Sequence, residues 1–241
     1  MGKKRIDNLL VDRKLVDSRA KAQAFIMAGE VVANGKTVIK SGMLVAEEAE
    51  ITLAKPPPFV SRGGLKLDYA LDRFGLDVSS QVVADIGAST GGFTDCLLKR
   101  GASRVYAIDV GYGQLDYRLR RDPRVTVIER TNARYPITLP EKVALATIDV
   151  SFISVKKVIP PVTQLLTNDG YLLVLIKPQF EARRDEVGKG GVVKRSAIHA
   201  RVLGRFITWA TEQNFRLRGL TASSILGNSG NREFFVLLNL T

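Results

Sequence analysis

Cysteine and histidine are nearly absent from this chain of 241 residues, which contains only Cys96 and His199. One cysteine excludes an internal disulfide framework, and a single histidine leaves no His/Cys cluster for a zinc or iron–sulfur centre. We therefore expect no metal site. Both residues, like Trp209, fall in apolar patterns that indicate packing. Any chemistry must come from lysine, aspartate, glutamate and backbone groups.

Long apolar segments are missing as well. The longest obvious runs, such as residues 171–176, have the length of a β-strand, whereas a membrane-spanning helix needs roughly 20 apolar residues. The N-terminus is too polar for a secretory signal, and neither a basic amphipathic helix nor a lipidation signal is present. The sequence therefore predicts a soluble, cytoplasmic protein without a membrane partner.

Acidic residues are in deficit, with 24 Asp and Glu against 36 Lys and Arg and a formal net charge of +12. Such an excess favours a polyanionic partner, and nucleic acid is favoured over an anionic membrane. Part of the excess lies at the N-terminus, where nine basic residues and four acidic residues occur in the first 40 positions.

Two regions differ in their periodicity. Residues 4–28 carry two short helical patterns, and Asn34-Gly35 between apolar pairs is typical of a β-hairpin turn. The three prolines that follow predict an extended, semi-rigid connection. We therefore place a small α+β domain at residues 1–54, a linker at 55–60 and a larger domain at 61–241.

The larger domain alternates strands with helices, which predicts an α/β fold with a mostly parallel, doubly wound sheet. Its last two strands form a predicted hairpin, so that an antiparallel strand lies at the sheet edge. The predicted strands are residues 81–85, 104–109, 125–129, 143–149, 171–177, 216–223 and 233–240, with helices from 92, near 154–166 and around 196–212.

A glycine-rich turn follows the first of these strands, in Asp85-Ile-Gly87-Ala-Ser89-Thr-Gly91-Gly92. Strand–turn–helix units of this kind bind nucleotides at the carboxyl ends of strands, and glycine allows close approach of the backbone. Ser89 replaces the middle glycine of the G-x-G-x-x-G fingerprint, which disfavours NAD. S-adenosylmethionine has no pyrophosphate, and its carboxylate tail can sit on helix N-terminal amides. We expect it as the cofactor.

Other strand ends supply further cofactor candidates. Asp109 follows Gly87 by 22 residues, the distance of a strand–helix–strand return, and its carboxylate is placed to take the ribose hydroxyls. Asn132 follows the third strand, where an amide can read the adenine edge. The predicted cofactor-binding residues are Asp85, Gly87, Ala88, Ser89, Gly91, Gly92, Phe93, Asp109, Asn132 and Asp149.

Charged residues at three positions are candidates for catalysis. Lys177 ends an apolar strand of the parallel sheet and therefore points toward the ligand crevice. Lys66 lies near the start of the larger domain's first helix, and Glu233 opens a strongly apolar β segment. Taken alone, each is also compatible with an ordinary surface lysine or strand-end charge.

Together, these motifs resemble the TlyA-like ribosomal RNA methyltransferases of the FtsJ-like 2′-O-methyltransferase group. The resemblance covers nearly the whole chain. It implies a Rossmann-like class I methyltransferase fold preceded by a small S4-type RNA-binding domain. The motifs are residues 18–22 and 26–35 for the S4-type domain, and 61–67, 85–95, 149–154, 177–181 and 188–193 for the enzyme core.

The resemblance also implies a catalytic tetrad, which maps onto Lys66, Asp149, Lys177 and Glu233. The implied reaction transfers a methyl group from S-adenosylmethionine to a ribose 2′-hydroxyl of ribosomal RNA, and the family suggests cytidine. The hydroxyl must lose its proton as it attacks, and a neutral lysine can take it. We assign Lys177 as the base, Lys66 and Glu233 to orienting the hydroxyl, and Asp149 to holding Lys177 and the methyl-donor region.

Basic residues of the N-terminal domain are expected to contact RNA phosphates, which position a protein without reading bases. The sequence does not disclose the nucleotide, the ribosomal subunit, the oligomeric state or the role of the loop at residues 188–191. Noncatalytic ribosome assembly and RNA base methylation remain alternative functions, while pore formation is disfavoured by the composition. The predicted RNA-binding residues are Lys4, Arg5, Arg19, Lys21, Lys36 and Arg62.

Overall fold

The chain divides into two units in the computed structural model, Met1–Pro57 (unit 1) and Pro58–Thr241 (unit 2). The structure describes residues 2–27, 29–53, 58–227 and 230–240. Residues 55–57 of the expected linker therefore lie outside the described residues. Phe59 and Val60, which the sequence pattern also places in that linker, belong to unit 2: the Phe59 ring is buried in its core, and the Val60 amide donates to Asp95 at 2.9 Å.

Unit 1 is an α+β domain in which two helices pack on short antiparallel strands. Strand β2 is the centre of a three-stranded sheet in the order β3-β2-β5, and β1 pairs with β4. The β2–β3 turn has positive φ at Asn34 (49°) and Gly35 (75°), which confirms the predicted hairpin. The elements are β1 (Lys3–Arg5), α1 (Ile6–Asp12), α2 (Arg19–Met27), β2 (Val31–Ala33), β3 (Lys36–Val38), β4 (Leu44–Ala46) and β5 (Ile51–Leu53).

The first strand of unit 1 differs from the expectation. Lys4 and Arg5 fall within the first predicted helical pattern, but both lie in β1, and the helix begins at Ile6. The partner of β1 is β4, some 40 residues away, with Lys4 opposite Val45. A pairing between distant segments leaves no local periodicity, which is why the pattern in residues 4–28 does not reveal it.

Unit 2 is built on one seven-stranded sheet flanked by helices, as the alternation of elements predicts. No helix in the described ranges has the length and apolar character needed to cross a membrane. The elements are α3 (Arg62–Phe74), β6 (Val82–Ile86), α4 (Gly92–Lys99), β7 (Arg104–Ile108), α5 (Tyr117–Arg120), β8 (Val125–Ile128), β9 (Val143–Ile148), α6 (Ile159–Thr163), β10 (Leu166–Ile176), α7 (Pro178–Glu181), α8 (Ser196–Glu212), β11 (Phe215–Ala222) and β12 (Phe234–Leu240).

The predicted C-terminal hairpin and its antiparallel pairing at the sheet edge are confirmed, because β11 is the edge strand and pairs antiparallel with β12. The strand order is β11-β12-β10-β9-β6-β7-β8, and β12 runs antiparallel to both of its neighbours. Residues 235–238 of β12 are buried, whereas most of β11 is exposed or half-buried. The unbroken apolar run of β12 is typical of a central strand, and the alternation in β11 is typical of an edge.

The predicted helix near residues 154–166 is also different in the structure. A 3₁₀ turn at Val155–Lys157 precedes the short helix α6, whose first turn contains Pro160 and Pro161. Leu166 is already the first residue of β10. Because proline is tolerated in the first turn of a helix but not in its interior, α6 begins beside this pair and does not form one continuous helix with the preceding 3₁₀ turn.

Strand register places several predicted site residues at one edge of the sheet. Ile108 pairs with Ile86, and Ile148 also pairs with Ile86. Ile176 pairs with Phe234 of the antiparallel strand β12. The residue after each of Ile108, Ile148 and Ile176, and the residue before Phe234, therefore lie at the carboxyl edge of the parallel strands. These residues are Asp109, Asp149, Lys177 and Glu233.

The interior position of β12 can be tested with two leucines of that strand. Leu238 is fully buried, whereas Leu240 is 38% exposed. We expect Leu238→Ala to lower the free energy of unfolding of unit 2 by about 2–5 kcal/mol, and Leu240→Ala to change it by about 0.5 kcal/mol or less. Urea unfolding followed by the fluorescence of Trp209 reports on this unit. Equal losses for the two variants would contradict an interior β12.

Candidate active site

The glycine-rich turn after β6 is shaped by contacts within the protein. Gly87 has φ of 86°, and a Cβ there would lie 2.4 Å from the carbonyl oxygen of Asp149. A Cβ at Gly92 would lie 2.2 Å from Oγ of Ser61. The sequence interpretation attributes these glycines to close approach of a ligand. The structure gives a different reason, because the neighbouring strand end and helix start already exclude a side chain.

Asp109 ties the end of β7 to this turn. One carboxylate oxygen accepts the backbone N–H of Ser89 at 2.8 Å, and the other accepts the N–H of Gly111 at 2.6 Å. The Ser89 hydroxyl also donates to Gln114 at 3.3 Å. A carboxylate has about four acceptor positions. Asp109 can therefore hold the turn and still accept hydrogen bonds from a ligand.

Two adjoining cavities open at this edge of the sheet. The smaller, of about 510 Å³, is bordered by Asp109 and Asn132. The larger, of about 750 Å³, is bordered by Phe93 and by the start of α4. Both volumes fall in the range of small-molecule sites. The residues that border both cavities are Gly87, Ser89, Asp149, Ser151 and Phe152.

All four residues of the predicted tetrad border the larger cavity, and they form two ion pairs. Lys177 Nζ lies 2.7 Å from Asp149 Oδ1, and Lys66 Nζ lies 2.6 Å from Glu233 Oε2. The Glu233 side chain is 4% exposed and that of Lys66 is 11% exposed. Charges this deeply buried require partners. The structure therefore brings together residues that are up to 167 positions apart in the chain.

Ser151 is a second partner of Lys177 that the sequence patterns did not identify. The Lys177 ammonium donates to the Ser151 hydroxyl at 2.8 Å. The loop that carries Ser151 is joined to the helix after Lys177, because Glu181 accepts the Ser154 hydroxyl at 2.7 Å and the Val155 amide at 2.8 Å. Burial raises the pKa of Glu181, although the Ser154 hydroxyl opposes that shift. These contacts hold Asp149, Ser151 and Lys177 in fixed relative positions.

Asn231 holds the segment that leads to Glu233. Its side chain is almost fully buried, accepts the Val193 amide at 2.9 Å and donates to the Gly191 carbonyl at 2.9 Å. The His199 imidazole donates through Nε2 to the Val193 carbonyl at 2.8 Å, consistent with its expected packing role. The loop at residues 188–191 is thus attached to the segment that precedes β12 and contains Glu233.

Phe152 is another residue that the sequence did not single out. Its side chain is 91% exposed at the border of the two cavities, and its ring lies 5.2 Å from that of Phe180. Phe152 also has φ of 63°, an uncommon backbone conformation for a bulky residue. No pattern in this part of the sequence predicts the exposure of Phe152 or its positive φ.

Two predicted cofactor-binding residues border neither cavity. Asp85 is fully buried and accepts hydroxyl hydrogen bonds from Thr94 at 2.7 Å and Thr147 at 3.2 Å. A Cβ at Gly91 would meet Leu119 at 2.3 Å. Asp85 and Gly91 therefore contact side chains of the protein interior beneath the glycine-rich turn, and the structure does not place them at a ligand cavity.

Comparison with known proteins identifies the family of each unit. The family of FtsJ-like methyltransferases matches residues 59–240, and the S4 domain family matches residues 4–51. The chain belongs to the FtsJ-like methyltransferase family. The resemblance seen in the sequence motifs is confirmed by these matches.

Relatives and a solved structure are similar to this FtsJ-like methyltransferase over nearly its whole length. YqxC of Bacillus subtilis is 45% identical, over 98% of this chain and 86% of its own. The 16S/23S rRNA (cytidine-2′-O)-methyltransferase TlyA of Mycobacterium tuberculosis is 42% identical, over 97% of this chain and 89% of its own. A protein named as a hemolysin from Streptococcus thermophilus has a TM-score of 0.77 and 42% identity, covering 100% of this chain and 90% of that one.

The predicted RNA-binding residues lie on both units of this methyltransferase. Arg62 borders the larger cavity in unit 2 and donates to the Leu226 carbonyl at 2.8 Å. Lys36 is exposed beside the β2–β3 turn of the S4 unit. In that unit, the side chains of Lys4, Arg5, Arg19 and Lys21 are each between 41% and 55% exposed, and each is ion-paired with an aspartate.

The buried Asp85 carboxylate predicts a pH effect on stability. Burial raises its pKa to about 7, and the nearby Asp149 charge adds to this, against the Thr94 hydrogen bond. The folded protein thus keeps a proton at Asp85 that the unfolded chain releases above about pH 4. The proton at Asp85 therefore stabilises the folded protein. This stabilisation is complete below about pH 4 and is lost as the pH rises to about 7. We expect the wild type to lose stability relative to Asp85→Asn across that interval, measured by urea unfolding.

Asp77→Asn is the control for this effect. The hydroxyl and amide of Ser79 lower the pKa of Asp77, so its contribution changes only as the pH falls below about 4. The stability difference between this variant and the wild type should stay flat across the same interval. A flat difference for Asp85→Asn as well would contradict the raised pKa.

Proposed function

We propose that this protein transfers a methyl group from S-adenosylmethionine to the ribose 2′-hydroxyl of a cytidine in ribosomal RNA. The observation that carries the proposal is the pair of lysine–carboxylate contacts, Lys177–Asp149 and Lys66–Glu233, at one cavity beside the glycine-rich turn. Two lysines and two carboxylates provide a base and the groups that orient a hydroxyl.

The residues of the two cavities fit S-adenosylmethionine. Asp109 and Asn132 border the smaller cavity, where a carboxylate suits ribose hydroxyls and an amide suits the adenine edge. The first-turn amides of α4, which lack partners within the helix, suit the methionine carboxylate. Ala88, Ser89, Gly92 and Phe93 border the larger cavity. When bound, the cofactor supplies an electrophilic methyl group next to the tetrad.

Lys177 is the proposed base for the ribose hydroxyl. As the oxygen attacks, its proton moves to the neutral amine of Lys177, and an ammonium group is formed. Asp149, at 2.7 Å, stabilises that ammonium group, and Ser151 accepts one of its N–H groups at 2.8 Å. These two contacts also fix the direction in which the amine faces the cavity.

Lys66 and Glu233 are proposed to hold the hydroxyl in place. Glu233 is buried and accepts from Lys66 at 2.6 Å, which restrains the long lysine side chain. An ammonium group held in this way can donate to the attacking oxygen and stabilise negative charge that develops on it. The Lys66–Glu233 pair therefore orients the nucleophile, and Lys177 removes its proton.

Three features of the chain support RNA as the substrate class. An S4 domain, a net charge of +12 and exposed basic side chains in unit 1 suit a structured RNA. The relative TlyA of Mycobacterium tuberculosis is named for cytidine 2′-O-methylation of 16S and 23S rRNA. We extend that substrate class to this chain as part of the proposal, with RNA contacts at Lys4, Arg5, Arg19, Lys21, Lys36 and Arg62.

The decisive experiment is methyl transfer from tritiated S-adenosylmethionine to ribosomal subunits and naked rRNA that lack the native modification. We expect Lys177→Ala to lower kcat by about 10²–10⁴-fold, because the general base is lost. Cofactor binding, measured by calorimetry, should persist in this variant. Lys157→Ala removes an exposed lysine that does not border either cavity, and it should leave the rate unchanged.

Two outcomes would contradict parts of this proposal. A Lys177→Ala rate close to that of the wild type would remove Lys177 from the role of base. No incorporation by the wild type into either subunit or naked rRNA, despite cofactor binding, would instead support a noncatalytic assembly factor.

A further inference from the structure

Asp7 is a fully buried carboxylate in the first turn of α1, on unit 1. An ionised group removed from water requires compensating partners. Burial of this kind is unusual in a domain of this size, whose core otherwise consists of apolar side chains such as Ile6, Leu10 and Ile26. The partners of Asp7 therefore indicate what the charge does.

Two arginines from different elements converge on Asp7. Arg5, at the end of β1, donates from Nε to Oδ1 at 3.0 Å and from Nη2 to Oδ2 at 2.9 Å. Arg19, at the start of α2, donates from Nε to the same Oδ2 at 2.9 Å. Gln23 adds a contact to Oδ2 at 3.3 Å, and the Asn8 amide donates to Oδ1 at 3.0 Å.

These contacts keep Asp7 ionised at all physiological pH values. The hydrogen bonds from Arg5 hold the pKa of Asp7 well below its usual range, and those from Arg19 and Gln23 add to this against the opposing effect of burial. The carboxylate is thus a permanent negative charge between two guanidinium groups.

The side chains of Arg5 and Arg19 remain partly exposed to solvent. The Arg5 and Arg19 side chains are 42% and 55% exposed, although their common partner is fully buried. Arg19 donates to Asp7 from Nε, and its two Nη groups make no hydrogen bond among the described residues. The guanidinium of Arg5 lies beside Gly42, where a Cβ would be 3.5 Å from Nη1, so a side chain at position 42 would pack against that nitrogen.

We propose that Asp7 is a positioning residue that fixes Arg5 and Arg19 as a preformed site for one backbone phosphate of RNA. This inference rests on the proposed function of unit 1 as an RNA-binding domain. Guanidinium groups bind phosphate in a bidentate geometry, and their N–H groups must face the oxygens together. Asp7 orders both side chains before RNA arrives, which removes the entropy loss of ordering them on binding.

A positioning role for Asp7 and a simple effect of net charge predict opposite changes in RNA affinity for Asp7→Asn. Asp7→Asn raises the net charge by one, which would strengthen RNA binding if only the number of positive charges mattered. If Asp7 positions the arginines, the same change weakens binding, because two long side chains then become ordered only in the complex. The size expected for this penalty is about tenfold in Kd.

The experiment is a titration of the full-length protein with in vitro transcribed 16S and 23S rRNA over a range of KCl concentrations. We expect Asp7→Asn to raise Kd about tenfold with little change in the slope of log Kd against log salt, because both cations remain. Arg19→Ala should both raise Kd and reduce that slope, since a phosphate contact is lost. A purely structural role of Asp7 would not produce this split.

Arg19→Lys keeps the test valid if Asp7→Asn does not fold. A lysine at position 19 preserves the charge, but its single ammonium group cannot bind Asp7 and present a planar donor pair to phosphate. We expect a several-fold rise in Kd for this variant. Melting curves and cofactor binding verify that each variant is folded.

Asp122 and Arg124 supply matched controls in unit 2. Arg124 donates from Nε and Nη2 to the two oxygens of Asp122 at 3.0 and 2.7 Å, the same arrangement as Arg5 on Asp7. This pair precedes β8 and lies at the sheet edge opposite the cavities. Asp122→Asn and Arg124→Lys make the same charge changes and should leave Kd close to wild type.

The outcomes separate this inference from the proposed function. Wild-type binding with equal or tighter binding by Asp7→Asn would overturn the positioning role and leave RNA binding by unit 1 intact. Arg19→Lys binding as tightly as the wild type would overturn it as well. Failure of the wild type to bind either transcript would overturn the proposed RNA function together with the inference.

Discussion

Parallel pairing of β6, β7, β9 and β10 aligns the carboxyl ends of strands from distant parts of the chain. This alignment is the constraint on which the rest of unit 2 depends. Because Ile86 is paired with both Ile108 and Ile148, the residues that follow these strands lie at one edge. The antiparallel strand β12 then brings Glu233 to that edge from the opposite direction. A cleft lined by charged side chains is the direct result.

Burial of charge is tolerated at this edge because the charges are paired. Lys66 and Glu233 satisfy each other, and Lys177 is shared between Asp149 and Ser151. Removing one member of such a pair leaves the other charged in a region of low dielectric constant, which is strongly unfavourable. In unit 1, Asp7 obeys the same rule with two arginines. Both units therefore use a buried carboxylate, Glu233 or Asp7, to fix the direction of long basic side chains.

Much of the site could be predicted from the sequence, because strand ends carry a local signal. Asp109, Asp149 and Lys177 each terminate an apolar run, and in a parallel sheet such residues face one crevice. Lys66 and Glu233 have no comparable signal. Their contact joins α3 to the residue that precedes β12, and only the resemblance to a family indicates that they belong together.

Other features depend on contacts that no short pattern records. The strand β1 pairs with β4, and Asp7 looks like an ordinary polar residue at a helix start until its burial is known. Asp85 was expected at the cofactor, but the hydroxyls of Thr94 and Thr147 enclose it beneath the turn. Three-dimensional burial decides these roles, and sequence spacing does not contain it. By contrast, the hairpin of β11 and β12 at the sheet edge was predicted from the sequence.

The position of the methyl group on the product RNA tests the central claim most directly. Methylated rRNA would be digested with nuclease P1 and phosphatase, and the nucleosides would be fragmented in a mass spectrometer to separate ribose from base. A base for the ribose hydroxyl at this cleft predicts that the added methyl stays with the ribose, on cytidine. A methyl group found on the base fragment would contradict the assignment of the lysine–carboxylate pairs to 2′-hydroxyl chemistry.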